Sequence, residues 1–310
     1  MTAIVIPVLD TVHLLDLAGP AQVFGDAAHL GAKFTLHFVA DAPGAIVSAQ
    51  GLPLAPSPLW PALDRGDIVL VPGGRAPTVE AAARLGPASL ERIRGHYDDG
   101  GRVASVCSGA VSLGLAGLLD GRRCTTHHDL QRGLAARFPR AHVVADVLFT
   151  EDGRVLTSAG IASGIDLALH IVAQQEGPAV AARVARGMVM YTRRNGTAPQ
   201  QSAILRHRGH LSDVVHHAQD VLDERFRERL PLAEVAREVG VSARTLTRAF
   251  SEAVQLSPLR YQQLLRLEEA DALIQHGSTV EAAAAAVGFD DARMLRRLRA
   301  RERELAGAAR

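Results

Sequence analysis

One change of hydrophobic period divides this 310-residue chain. Before about residue 190, short β-branched runs alternate with stretches of helical apolar spacing; from Leu211 onward only helical spacing remains. Strand and helix side chains repeat at different periods, so neither a single bundle nor a single all-β fold accommodates both halves. The strand candidates, in order, are TAIVIPV, KFTLHFVA, DIVLVPGG, RVASVCSG, HVVADVLFTEDG and RVLTSAG. Between them lie LAGPAQVFGDAAHLG, TVEAAARLGPASLERIRGHYDDG, AVSLGLAGLLDG and HHDLQRGLAARFP, all with helical spacing. This alternation predicts an α/β sandwich with a mostly parallel sheet. The helices of SGIDLALHIVAQQEGPAVAARVARGMVM close it, and YTRRNGTAPQQSAILRHRGH then loses periodicity and gathers Gly, Pro, Gln and Arg. The expected organisation is an α/β domain at 1–192, a linker at 193–210 and an all-α domain at 211–310, which suits a chain long enough for two cores.

The net charge of +1 is too small to indicate a polyanion partner by bulk charge. The first residues, MTAIVIPVLDTVHLLDLAGP, lack a basic leader and carry Asp10 and Asp16, and no apolar run reaches the length of a membrane span. A cytoplasmic protein with no membrane segment is expected. Cys107 and Cys124 are too few for a disulfide framework. His207, His210, His216 and His217 fall in the linker and a helix start, with no cysteines and no fixed ligand spacing. Neither a metal nor a cofactor is expected.

Within GGRVASVCSGAVSLG a strand meets a helix across a sharp turn, and Cys107 stands at the corner. Such an elbow lifts a side chain above the sheet; Gly109, two positions on, reads as the residue that lets the backbone bend. The Ser108 amide would then face an oxyanion, and the helix N-terminus would lower the thiol pKa. Gly73 and Gly74, after the buried run of IVLVPGG, would add amides from a neighbouring loop. Cys124 has no such setting and reads as packing.

The segments DLAGPAQVF, VLVPGG, VASVCSGAVSLGLAGLLDGRRCTTHH and TSAGIASGIDLALHIV, in this order and spacing, resemble the ThiJ/PfpI superfamily over about residues 1–190. The resemblance implies a flavodoxin-like, class I glutamine amidotransferase-like fold, an acid beside the elbow cysteine and a histidine after the elbow helix. Carried over residue by residue, Asp16 is the acid, Cys107 the cysteine and His127 the histidine. Protease-like and chaperone-like members usually carry Glu at the acid position; Asp16 is instead similar to the hydratase-like and regulator branches.

In the second half, LPLAEVAREVGVSARTLTRAFSEAVQLSPLRYQQLLRLEEADALI fits a helix-turn-helix template. Ala236 is small where two helices touch, Gly240 supplies the turn, and Val235, Val239, Val241, Leu246 and Ala249 fill the space between. Ser242 caps the second helix, whose outer face presents Arg244, Thr247, Arg248 and Ser251 for DNA. This stretch resembles the AraC family, in which a long helix joins two such units, across residues 210–310. The second unit, TVEAAAAAVGFDDARMLRRLRAREREL, keeps Ala284, Gly288 and Phe289 but lacks the aromatic expected late in its recognition helix. Arg293, Arg296 and Arg297 are its candidate phosphate contacts. Together the two resemblances imply a transcriptional regulator that senses a small-molecule effector, binds double-stranded operator DNA and forms a homodimer through its N-terminal domain. The alternative is a hydratase- or amidase-type enzyme using Cys107 with Asp16, its helical domain an accessory.

Overall fold

Ile68–Val71 is an unbroken apolar run with every residue buried, the pattern of a strand covered on both faces. In the computed structural model the strands are β1 (Thr2–Pro7), β2 (Phe34–Val39), β3 (Ile46–Val47), β4 (Pro53–Leu54), β5 (Ile68–Val71), β6 (Arg102–Val106), β7 (Arg123–Cys124), β8 (His142–Val143), β9 (Phe149–Asp152) and β10 (Val155–Ser158). Six of them form one sheet of order β2-β1-β5-β6-β10-β9. All of its pairings are parallel except β9 with β10. The structure describes residues 1–82, 84–190, 194–198, 200, 202, 207–275 and 277–308. The chain divides into two compact units, Met1–Gln200 and Gln201–Arg310.

Helices cover both faces of the sheet. Ile68 and Leu70 of β5 join a core beneath α1 (Leu14–His29), α5 (Ser163–Glu176) and α6 (Pro178–Gly187), with Phe24, Leu169 and Val184. Val69 and Val71 point the other way, to a core with Ile93, Leu113 and Leu134 beneath α2 (Pro87–Asp98), α3 (Gly109–Leu115) and α4 (Gln131–Arg137). This alternation along one strand is the period expected of a pleated ribbon. The parallel order also brings the loops after β1, β5, β6 and β10 to one carboxyl edge, where α/β folds place their sites.

The single strand read in HVVADVLFTEDG is corrected. His142–Val143 pairs with Arg123–Cys124, Asp146 turns the chain with φ 51°, and Phe149–Asp152 forms a hairpin with β10 about Gly153, φ 61°. Beyond α6, Arg194 reaches back to the buried Asp166, Gly196 O accepts from the Leu148 amide, and Gln200 hydrogen-bonds the Thr126 and Val147 carbonyls. Residues 191–193, 199, 201 and 203–206 of the stretch expected to link the domains lie outside the described residues.

The second unit is helical: α7 (Asp213–Arg225), α8 (Leu232–Glu238), α9 (Ala243–Val254), α10 (Pro258–Gln275), α11 (Val280–Ala286) and α12 (Ala292–Ala308). Two small cores share the long helix α10, which gives Tyr261 and Leu265 to one and Leu267 and Ala270 to the other. Val235, Ala236 and Leu246 are buried in the first core, with Val239, Val241 and Ala249 packed partly against it. Gly240 takes φ 76° between α8 and α9, the left-handed turn for which glycine is suited. In the second of these cores Leu295 and Leu298 pack with Ala284 and Phe289.

Candidate functional site

Cys107 follows β6 directly and adopts φ 55°, a left-handed conformation that strains a residue with a Cβ. The bend is therefore made by the cysteine itself, which corrects its assignment to Gly109. Gly109 is required for another reason: a Cβ there would lie 2.2 Å from the Val71 carbonyl oxygen, so only glycine lets the start of α3 approach β5. Two further glycines wall the cysteine. A Cβ on Gly160 would meet Cys107 Cβ at 2.2 Å, and one on Gly73 would meet Cys107 Cβ at 2.7 Å and Asp16 Oδ2 at 2.6 Å. Only 7% of Cys107 is exposed.

Asp16 enters from the first turn of α1 and is completely buried. Its Oδ1 accepts the Ile161 amide at 2.6 Å, and Ile161, next to Gly160, also takes a left-handed conformation, φ 51°. Oδ2 is buried and makes no hydrogen bond of good geometry among the described residues, although the Cys107 thiol and the Gly73 amide both face Asp16 and favour its charged form. Burial raises the Asp16 pKa, opposed by the Ile161 amide and by His13. Burial also pushes the Cys107 thiol well above its ordinary range, and the Asp16 charge pushes it further, with the Ser108 amide in opposition. The expected depression of the thiol pKa is thus overturned: removal from water outweighs the short helix behind the cysteine.

The neighbouring loop is less open than its glycines suggest. The Gly74 amide donates to Ser108 Oγ at 2.9 Å, and Ser108 Oγ donates to the Gly74 carbonyl at 3.1 Å. That reciprocal pair fastens two loops and uses the amide expected to serve an oxyanion. His127 opens the turn at His128–Leu130, its Nδ1 3.4 Å from the Asp129 amide and 3.5 Å from the Asp129 carboxylate. Burial lowers its pKa, which keeps the imidazole neutral at physiological pH. Among the described residues no hydrogen bond joins His127 to Cys107. Asp129 does lie within electrostatic reach of Cys107, as does His13 of both Asp16 and His127. His127, His128 and Asp129 bring donor atoms within 4.8 Å of one another and are the only metal-ligating cluster among the described residues. His210 and His216, discounted as ligands from sequence, hydrogen-bond Gln219 and the His210 carbonyl respectively. Sequence reasoning missed Gly160, Ile161, His13 and Thr126. The SAGIASG stretch carried a signal for the first two; Thr126 Oγ1, which donates to the Cys107 carbonyl at 2.8 Å, gave none.

On α9, Ser242 Oγ accepts the Thr245 amide at 3.1 Å and so acts as the helix cap. Thr247 Oγ1 donates to the Ala243 carbonyl at 2.9 Å, whereas Arg244, Arg248 and Ser251 are exposed. On α12, Arg296 is ion-paired with Glu281, Arg297 lies against Met294 Sδ, and the Arg293 side chain, 88% exposed, approaches Asp291. Among the described residues no helix is long and apolar enough to cross a membrane.

Residues 2–174 match the model of the DJ-1/PfpI family, and residues 235–306 that of a helix-turn-helix domain. The chain is 29% identical over 213 residues to the HTH-type transcriptional regulator GbdR of Pseudomonas aeruginosa; the match covers 66% of this chain and 58% of that one. It is 34% identical over 174 residues to an isonitrile hydratase of Pseudomonas putida, covering 54% of this chain and 68% of the hydratase. Among solved structures, an AraC family transcriptional regulator from Pseudomonas putida matches with a TM-score of 0.53 at 23% identity, over 61% of this chain and all (100%) of that one. At that identity the likeness concerns the fold.

Proposed function

The chain belongs to the DJ-1/PfpI family, and from that premise we propose that it is a DNA-binding transcriptional regulator whose first unit senses a small molecule. The observation that carries this reading is the fusion: a helix-turn-helix match at residues 235–306 follows the family fold in one chain. Folds of this kind host many chemistries, so the helical unit decides between them. Arg244, Arg248 and Ser251 on α9 read or position the DNA, and Arg293 and Arg297 on α12 add phosphate contacts.

The surroundings of Cys107 support sensing rather than turnover. A thiol kept neutral by burial and by Asp16 is a poor nucleophile, and Ser108 already uses the Gly74 amide. The hydratase- or amidase-type alternative rests on the same Asp16 and Cys107 and requires a thiolate that this environment disfavours. In our reading Cys107, Asp16, His127, Gly74 and Ser108 surround the effector site. A homodimer through the first unit is part of the proposal, supported by an apolar cavity of about 530 Å³ along α1, lined by Leu17, Ala21, Phe38 and Leu54, which a second copy would cover. A cytoplasmic location follows from the same reading.

The test is selection of double-stranded DNA from a random library by the full chain, with sequencing of the bound fraction. Enrichment of a defined motif supports the regulator; a bound pool as random as the input overturns it. A thermal-shift screen of small metabolites on the same chain seeks the effector, whose stabilisation should vanish in Asp16→Ala.

A further inference from the structure

Thr126 ties the elbow to the last residue of the first unit. Its Oγ1 donates to the Cys107 carbonyl at 2.8 Å, and its own carbonyl accepts from Gln200 Nε2 at 2.9 Å. The same Gln200 nitrogen donates to the Val147 carbonyl at 3.1 Å, while the Gln200 amide donates to Asp146 Oδ1 at 3.0 Å. Gln200 ends the first unit, and Gln201 begins the second. The residues just before it are fastened too. Arg194 grips the buried Asp166 with Nη2 at 2.6 Å and Nε at 3.1 Å. The Leu148 amide is shared between the Gly196 and Ala198 carbonyls at 2.9 and 3.0 Å, and the Phe149 amide donates to Gly196 O at 3.2 Å. A Cβ on Gly196 would lie 2.7 Å from the Phe149 ring, so glycine lets this strap lie flat on β9.

We infer that the Cys107 carbonyl, Thr126 and Gln200 form a relay through which the position of the Cys107 elbow fixes or frees the strap at residues 194–198 and 200 that precedes the DNA-binding unit. The inference rests on the reading of the first unit as a sensor. Cys107 Cβ is packed tightly against Gly73 and Gly160 and its backbone is strained, so a ligand or a larger group brought to Cys107 displaces the elbow. Thr126 is fully buried, and its hydroxyl must follow the Cys107 carbonyl or go without a partner, which is costly away from water. Its carbonyl, which also accepts from Gln131 Nε2 at 3.3 Å, then shifts against Gln200. Coupling of this kind is reciprocal: a change imposed on Gln200 alters the affinity of a ligand at Cys107 by the same factor.

The test follows hydrogen exchange at the Leu148 and Phe149 amides in the full chain, with Ile4 and Ile6 of β1 reporting that the sheet is intact. Cys107→Asn tolerates a left-handed backbone and overfills the space between Gly73 and Gly160; Cys107→Ser is its near-isosteric control. Exchange at Leu148 and Phe149 is expected to rise about tenfold in Cys107→Asn, the scale of one or two net hydrogen bonds, and to stay at the wild-type rate in Cys107→Ser. Thr126→Val should give a similar rise alone, with Cys107→Asn adding nothing on top of it. Wild-type exchange in folded Cys107→Asn, or independent addition of the two effects, overturns the relay. Should Cys107→Asn fail to fold, Thr126→Val and Gln200→Ala take its place: equal, non-additive rises support the relay, and separate additive ones refute it. DNA selection run alongside separates the two readings. A chain that selects DNA with uncoupled amides refutes the relay alone, and one with coupled amides that selects no motif refutes the regulator.

Discussion

At Cys107, burial and a neighbouring carboxylate act on one thiol and oppose its ionisation, with the Ser108 amide working against them. Alkylation by iodoacetamide should therefore be slow at neutral pH and accelerate only well into the alkaline range. Asp16→Asn removes the charge that raises the thiol while leaving an oxygen for the Ile161 amide, so labelling should quicken several-fold. Mass spectrometry of a time course checks this, and a variant slower than wild type would contradict the assigned role of the charge. A pH dependence follows from Asp16 itself. Its pKa in the folded chain lies above the ordinary 3.8, so between those two values the folded state holds a proton that the unfolded state has released. The contribution of Asp16 to stability is thus present in acid and declines as pH rises through that window. The stability of Asp16→Asn relative to wild type should accordingly improve from acid to neutral pH, as followed by urea unfolding; a difference independent of pH would show that Asp16 is not raised.

On α9 the residues divide by what their side chains touch. Ser242 satisfies the Thr245 amide, one of the donors a helix start leaves open. Ser242→Ala should cost about 1 kcal/mol of stability by chemical denaturation, and Ser242→Gly only a few tenths. Arg244 and Arg248 are exposed and make no ion pair among the described residues, so their alanine variants should leave stability within about 0.5 kcal/mol. DNA affinity should instead fall by about 1–3 kcal/mol where the arginine had paired with a base. An Arg244→Ala chain that binds its selected DNA like wild type would remove that side chain from recognition. The α8–α9 pair was legible in sequence because its determinants are local: a small residue at Ala236, a left-handed turn at Gly240 and a cap at Ser242, all within one stretch. The reading of HVVADVLFTEDG failed for the opposite reason. Its β-branched residues suit a strand wherever they fall, and the left-handed turn at Asp146 divides the run between two different partners.

For the whole molecule, the change of hydrophobic period foretold a mostly parallel α/β fold followed by helices, because layers and bundles are set by which faces must be covered. The pocket was only partly legible. Asp16 and Cys107 were singled out in sequence, yet their electrostatics depend on burial by loops distant along the chain, and the Thr126 and Gln200 hydrogen bonds span 19 and 74 residues that no periodicity relates. The division of labour between the two helix-turn-helix units is likewise a property of the assembled chain. Deleting residues 290–310 would be a poor probe, because Leu295 and Leu298, 0% and 6% exposed, complete the second core. Substituting exposed arginines leaves that core in place. Arg296 is already paired with Glu281, so Arg293 and Arg297 are the better phosphate ligands on α12. Each phosphate left without its arginine lowers the slope of log affinity against log salt by about 0.9, without altering sequence preference. Arg293→Ala with Arg297→Ala should therefore weaken binding most at low salt, reduce the slope by about 1–2 and leave the selected motif unchanged, whereas Arg244→Ala should relax one position of it. Salt titration and selection from random DNA supply the two readouts. Disappearance of a block of the motif in the α12 double variant would mean that the second helix-turn-helix reads bases, and the first helix-turn-helix would then no longer account for sequence choice alone.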